Sequence, residues 1–375
     1  MENKKVYRSF DAIKGIVILI TVIIGHYWQF TPGGYYANGV NQTWVEITNK
    51  ITAFSFSKTL SFMELLLMIS GFQLYASYNK IQNRETEFGA YLKKRVIRLY
   101  PVAILAAVCM FIGVYAHYYQ VGEYWYNTSP APAHFLENMT LIQTWVNNAH
   151  TLNGPMWYVS VYFFCTILYF MLARIDRKHG GIYWMFVPVI AGLWLTEKKS
   201  SIILLNADMA RGYIAFFFGV LVAVFSEKLS KTKAYIYSVS SIAVFIIFYN
   251  VFQGFINIGT ALDKTLPFMV LLYAPMLVLL SHCPVLDRII GNPLLRGLGK
   301  ISYCMAAFNF PFYVWLAVLD NKFKWNLPYG RTYMYYVIAG AQILLAAIIY
   351  LAFEKPVSGL LSGKTKRKKA EKEAA

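Results

Sequence analysis

The sequence predicts an all-α polytopic membrane protein of about ten transmembrane helices, with both termini cytoplasmic. Three observations carry this. Hydrophobic residues make up 58% of the chain and charged residues only 14%, whereas soluble domains are about a quarter charged. Ten apolar segments can be read along the chain. The basic residues are concentrated in alternate connections between those segments.

The segments lie at about 12–30, 59–79, 99–118, 155–173, 181–196, 208–226, 234–253, 265–283, 301–319 and 332–353. The first belongs to the run Phe10 to Phe30, which carries no charge from Ile16 to Gly25 and then presents His26. An imidazole inside a membrane helix is costly to bury and points to function. The alternative is a structural histidine satisfied by a partner helix. This run is too long for the apolar core of a secretory signal, and no small-residue cleavage site follows it, so no cleavable leader is expected.

Orientation follows from counting Lys and Arg. With the N-terminus inside, segments 1–14, 79–98, 174–181, 226–234, 284–300 and 354–375 hold 26 of the 35 basic residues. The outer loop 119–154 holds none. The formal charge of +17 is therefore read as positive-inside loops rather than as a nucleic-acid surface, and no nucleic-acid partner is expected. The run Lys364-Thr365-Lys366-Arg367-Lys368-Lys369 suits anionic inner-leaflet lipids.

The outer loops are rich in aromatics: Tyr35-Tyr36, Trp44, Tyr124-Trp125-Tyr126 and Trp145. At this level aromatics form an interfacial belt; the alternative is a sugar-stacking surface. Sequons at Asn41, Asn127 and Asn138 matter only in a glycosylating host. Cys109, Cys165, Cys283 and Cys304 fall in apolar runs or at their ends, with no metal-like spacing, so neither zinc nor a disulfide framework is expected. No internal repeat and no matched pair of broken helices points to a secondary transporter.

The second inner connection ends Lys93-Lys94-Arg95-Val96-Ile97-Arg98-Leu99-Tyr100-Pro101. Arg95 and Arg98 are three apart and share one helix face. Pro101 is expected in the first turn of the third membrane helix, where its missing N–H costs nothing. Two guanidiniums at the cytoplasmic mouth can clamp phosphates; the plainer reading is a positive-inside anchor.

These residues resemble a family. The order is a first helix with a basic residue and then His26, a second helix ending Ile69-Ser70-Gly71-Phe72, and then Arg95-x-x-Arg98-x-x-Pro101. Met156-Trp157-Tyr158-Val159-Ser160-Val161 and Gly299-Lys300-Ile301-Ser302-Tyr303 follow. From about residue 8 to about 355 the chain is similar to the acyltransferase-3 family of integral membrane acyltransferases. The resemblance implies transfer of an acyl group, often acetyl, from cytoplasmic acyl-CoA to sugars of envelope glycans. It implies that His26 stands at the family histidine and Arg95 and Arg98 at its arginine pair. It divides the chain into a membrane-embedded acyltransferase domain, 1–355, and a basic cytoplasmic tail, 356–375.

The sequence also departs from the family pattern. The family has Arg, ten residues, then His; here Lys14 stands in the Arg place and eleven residues separate it from His26. Eleven steps of 100° bring two residues to within about 20° of one face, whereas twelve put them about 120° apart. Lys14 and His26 therefore share a face only if a π-bulge absorbs the extra residue. Tyr162 stands where the family often has Glu, and Asn309 where a His is common.

Depth gives an independent argument. By helical rise His26 lies about 18 Å beyond Lys14, and Glu64 about 24 Å before Lys80. Ser160, Tyr162 and Arg211 lie near the outer ends of their helices. Two adjoining helices thus bring His26 and Glu64 to similar depth, where a carboxylate would be relieved by a histidine. The resulting expectation is O-acyl transfer, acetyl foremost, with His26 and Glu64 catalytic. Arg95, Arg98 and Lys14 would hold the donor, and Ser160, Tyr162, Arg211 and Asn309 would line the pocket. No tightly bound cofactor or metal is expected. The partners are acyl-CoA (acetyl-CoA as donor substrate), a glycan or glycolipid acceptor and membrane lipids, in a bacterial plasma membrane. The alternatives are a transporter or flippase of a glycan or lipid-linked sugar, and an inactive interaction subunit.

Overall fold

A computed structural model describes residues 7–26, 62–175, 178, 180–198, 200–251, 265–329 and 331–363. The structure is 82% helical, and the strands among the described residues form one two-residue antiparallel ladder, Ser201–Ile202 with Leu205–Asn206. Both results agree with the predicted all-α class.

The helices, in chain order, are α1 (Arg8–Ile18), α2 (Phe62–Tyr75), α3 (Tyr78–Gln82), α4 (Phe88–Val121), α5 (Pro132–Thr140), α6 (Trp157–Ala173), α7 (Phe186–Lys198) and α8 (Ala207–Lys228). They continue as α9 (Lys231–Val251), α10 (Ala274–His282), α11 (Pro284–Ile290), α12 (Pro293–Ala307), α13 (Asn309–Phe323), α14 (Thr332–Ile349) and α15 (Lys355–Leu361). Three π-helical turns adjoin them: Leu19–Ile24 after α1, Phe268–Tyr273 before α10, and Tyr350–Glu354 between α14 and α15.

Five helical stretches among the described residues are long and apolar enough to cross a membrane: Phe88–Val121, Gly154–Ala173, Ala207–Lys228, Thr265–His282 and Tyr336–Leu361. A sixth counts if α12 and α13, bent by 60° at Phe308, make one span. Among the described residues, five or six spans thus meet this measure, against ten predicted over the whole chain. The first is described only to His26, and α2 is a 14-residue apolar helix.

The described residues fall into two compact units. The first lies within Met1–Val17, Ser57–Glu87 and Val161–Gly299. Its centre is α2 against α8, and glycine lets the two backbones approach. A Cβ on Gly71 would sit 1.9 Å from the Phe216 carbonyl oxygen, and one on Gly219 would sit 2.1 Å from that of Met68. Such reciprocal small-residue contacts are how apolar helices associate where lipid competes equally for apolar surface. α1 meets the start of α12 in the same way, through Gly15 and Gly299, the latter against the Asp11 carbonyl. Phe10, Met68, Ile69, Phe216 and Phe217 are fully buried here.

The second unit lies within Ile18–Phe56, Phe88–Ser160 and Lys300–Ala375. Its spine is α4, and its core joins Met110 and Val114 to Trp125, Phe310, Tyr313 and Val314. Here the structure corrects one expectation. α4 begins at Phe88, so Pro101 lies inside the helix and not in its first turn. A proline there leaves the carbonyl four residues earlier, that of Ile97, without its helical donor. The Ser358 hydroxyl of α15 donates to that carbonyl at 3.4 Å. The start of the helix was misplaced because Lys93, Lys94, Arg95 and Arg98 look like a loop by charge, although Phe88 onward is continuous helix.

The aromatic loop is partly core. Trp125 is buried against Phe310, and the Trp145 indole donates to the Ser160 carbonyl. Tyr124 and Tyr126 are exposed. Asn138 is buried, donating to the His134 carbonyl and accepting from the Asn153 amide, so its sequon is not presented at the surface. Tyr35-Tyr36, Trp44, Asn41 and the basic run Lys364–Lys369 lie outside the described residues.

Candidate active site

The helix that carries His26 begins with ordinary α geometry and widens at Leu19–Ile24 into a π turn. The sequence here is dense in β-branched residues, among them Ile18, Ile20, Thr21 and Val22. A π turn accommodates one extra residue within the helix. That π turn lies between Lys14 and His26 in the sequence. Lys14 itself belongs to the first unit, where its ammonium donates to the Gln73 side-chain oxygen.

His26 belongs to the second unit, and its Nδ1 lies 2.6 Å from Oδ1 of Asn309, the first residue of α13. The bend at Phe308 brings the Asn309 side chain inward, where it is 1% exposed. Its Nδ2 donates twice, to the Val22 carbonyl at 3.2 Å and to Oε1 of Gln342 at 2.7 Å. Both amide hydrogens are thus committed, and Oδ1 can only accept. The proton in the His26–Asn309 bond must then sit on Nδ1, which makes Nε2 the acceptor nitrogen of the neutral ring. The Phe310 ring lies 5.7 Å from the imidazole and 5.4 Å from Trp125. His150, exposed on the loop between α5 and α6, is within electrostatic reach of His26.

The first unit holds a different constellation. Glu64 of α2 is 2% exposed and accepts from Arg211 Nε of α8 at 2.6 Å. Arg211 also meets Asp208 at 3.4 Å, one turn earlier on α8. Oε2 of Glu64 is buried with no hydrogen-bond partner among the described residues. Within the second unit the structure gives Asn309 to His26, and within the first it gives Arg211 to Glu64. Helical rise fixes depth but not rotation about the helix axis, so residues at equal depth need not face one another.

The remaining candidates are placed as follows. Arg95 folds back on its own helix, its guanidinium 3.4 Å above the Tyr91 ring and bonded to the Tyr91 carbonyl. Arg98 is exposed on α4. Ser160 is fully buried; its hydroxyl accepts from the Thr144 amide at 3.4 Å. That makes it a pin between α6 and the loop before it. Tyr162 packs near Phe216 in the first unit.

Sequence reasoning missed Gln342. It is an amide standing in the apolar run of α14, and the rule that singled out His26, a polar group within a membrane helix, applies to it equally. It also passed over Glu354, the first residue of the last predicted inner segment, which accepts from the Cys304 thiol at 3.0 Å. No group of three or more His, Cys, Asp and Glu that could hold a metal occurs among the described residues.

The acyltransferase-3 family, described as an acyltransferase domain, matches residues 7–352, nearly the whole chain. The comparisons with curated proteins and with solved structures return no match.

Proposed function

The chain belongs to the acyltransferase-3 family, and from that premise we propose that it is a membrane O-acyltransferase. It moves an acyl group, acetyl foremost, from cytoplasmic acyl-CoA to a hydroxyl of an envelope or exported glycan. The observation that carries this is the chain Gln342–Asn309–His26.

A general base needs a defined acceptor nitrogen. Asn309 supplies it by holding the proton on Nδ1, and Gln342 and the Val22 carbonyl keep Asn309 from turning over. In the reaction His26 Nε2 takes the proton of the acceptor hydroxyl as its oxygen attacks the thioester carbonyl. The C–S bond then breaks, and the imidazolium returns the proton to the departing CoA thiolate. Phe310 beside the imidazole, with Trp125 against Phe310, suits a sugar ring, which presents C–H faces to aromatic side chains.

Arg98 and Arg95 are the proposed donor-phosphate residues, with Arg98 the exposed member of the pair. Glu64 and Arg211 act as a structural ion pair in this account. Tyr162 and Ser160 support the packing. The charge asymmetry of the loops favours cytoplasmic termini and a bacterial plasma membrane setting, with lipids and glycan as partners.

The test is purified protein in nanodiscs with radiolabelled acetyl-CoA and glycan fragments. Acceptor-stimulated CoA release and label transfer are expected from the wild type and not from His26→Ala. Transport of glycan with no thioester cleavage would replace this reading by the flippase alternative. Cysteine labels placed in 119–154 should react from outside intact cells, and labels in 79–94 should not.

A further inference from the structure

We infer that Glu354 is a built-in counter-anion of the donor-phosphate site, a carboxylate whose charge opposes the phosphates of acyl-CoA at Arg98 and thereby sets donor affinity and CoA release. This rests on the reading that Arg98 takes the donor phosphates. The geometry points to it through three links in the second unit.

Ser358 of α15 donates to the carbonyl of Ile97, which Pro101 leaves without its helical donor. Tyr303 of α12 donates to the Leu99 carbonyl at 2.6 Å. These two bonds fall on the residues either side of Arg98. The third link joins them: Cys304, next to Tyr303, donates from Sγ to Glu354 Oε2 at 3.0 Å, and Glu354 lies one turn before Ser358. The carboxylate is thereby held between two pins that flank Arg98. The charge of Arg98 reaches Glu354, Tyr303 and Tyr350. Glu354 closes the π turn Tyr350–Glu354, and such turns recur at functional sites because they re-aim one side chain without ending the helix.

Glu354 takes its bond from Cys304, and no Arg98–Glu354 contact stands among the ion pairs of the described residues. The carboxylate thus acts on Arg98 through its field while leaving the guanidinium's donors to a ligand. A negative charge so placed weakens binding of any anion at Arg98 and hastens its departure.

The probe is adenosine 3′,5′-bisphosphate, which carries phosphates but no acyl group, titrated by calorimetry against the full chain in nanodiscs. Glu354→Gln keeps an acceptor for Cys304 and removes the charge; it should bind the probe about tenfold more tightly. Glu354→Asp, which keeps the charge, should bind like the wild type. Arg98→Ala should weaken the probe, and Arg98→Ala/Glu354→Gln should lose the gain, showing that the two residues are coupled. Arg98→Ala with unchanged affinity would overturn the donor-site reading itself. Weakening by Arg98→Ala, with unchanged or weaker binding by Glu354→Gln, would overturn only the counter-anion.

Discussion

The first unit buries a carboxylate against a guanidinium at Glu64 and Arg211; the second sets the imidazole of His26 against the amide of Asn309, which is in turn bonded to Gln342. The difference separates architecture from chemistry. A close ion pair fixes two helices to each other. A chain of neutral amides carries no net charge, yet it is directional. Each donor faces one acceptor, and the last link determines which ring nitrogen keeps the proton.

The contrast is sharpened most by His26→Ala, which should lower single-turnover acyl transfer by about 10²–10⁴-fold while leaving the unfolding temperature near that of the wild type. Arg211→Met should do the reverse. It strands a buried carboxylate and should cost about 3–5 kcal/mol of stability, largely recovered in Glu64→Gln/Arg211→Met. Thermal unfolding in detergent measures both. A Glu64→Gln protein as stable as the wild type but a hundredfold slower would return the carboxylate to the reacting centre.

Asn309→Leu should come next, with transfer about ten- to a hundredfold slower, because the bond lost is one made to a ring that becomes charged during the reaction. Gln342→Met removes a neutral bond one step further out and should slow transfer about two- to tenfold. A Gln342 effect as large as that of Asn309 would mean that Gln342 touches substrate directly.

The sequence made some of this plain and concealed the rest for physical reasons. The apolar runs and the lone His26 were readable because burying polarity in a membrane is costly wherever it occurs. The spacing from Lys14 to His26 even named its own remedy, the π turn found at Leu19–Ile24. Asn309 entered only through family resemblance, and its bonds to the Val22 carbonyl and Gln342 are visible only in the structure. The partner of Glu64 stayed hidden because depth was known and azimuth was not. The start of α4 was hidden because four basic residues near one helix end look like a loop when charge alone is counted.

The central claim is that Asn309 holds His26 with its proton on Nδ1. Nitrogen-15 NMR of histidine-labelled protein in nanodiscs tests it directly, the His26 signals being assigned by their loss in His26→Ala. The account predicts a neutral ring with a pyrrole-type Nδ1 and a pyridine-type Nε2, and a mixture of tautomers in Asn309→Leu. A pyridine-type Nδ1 in the wild-type protein would contradict it.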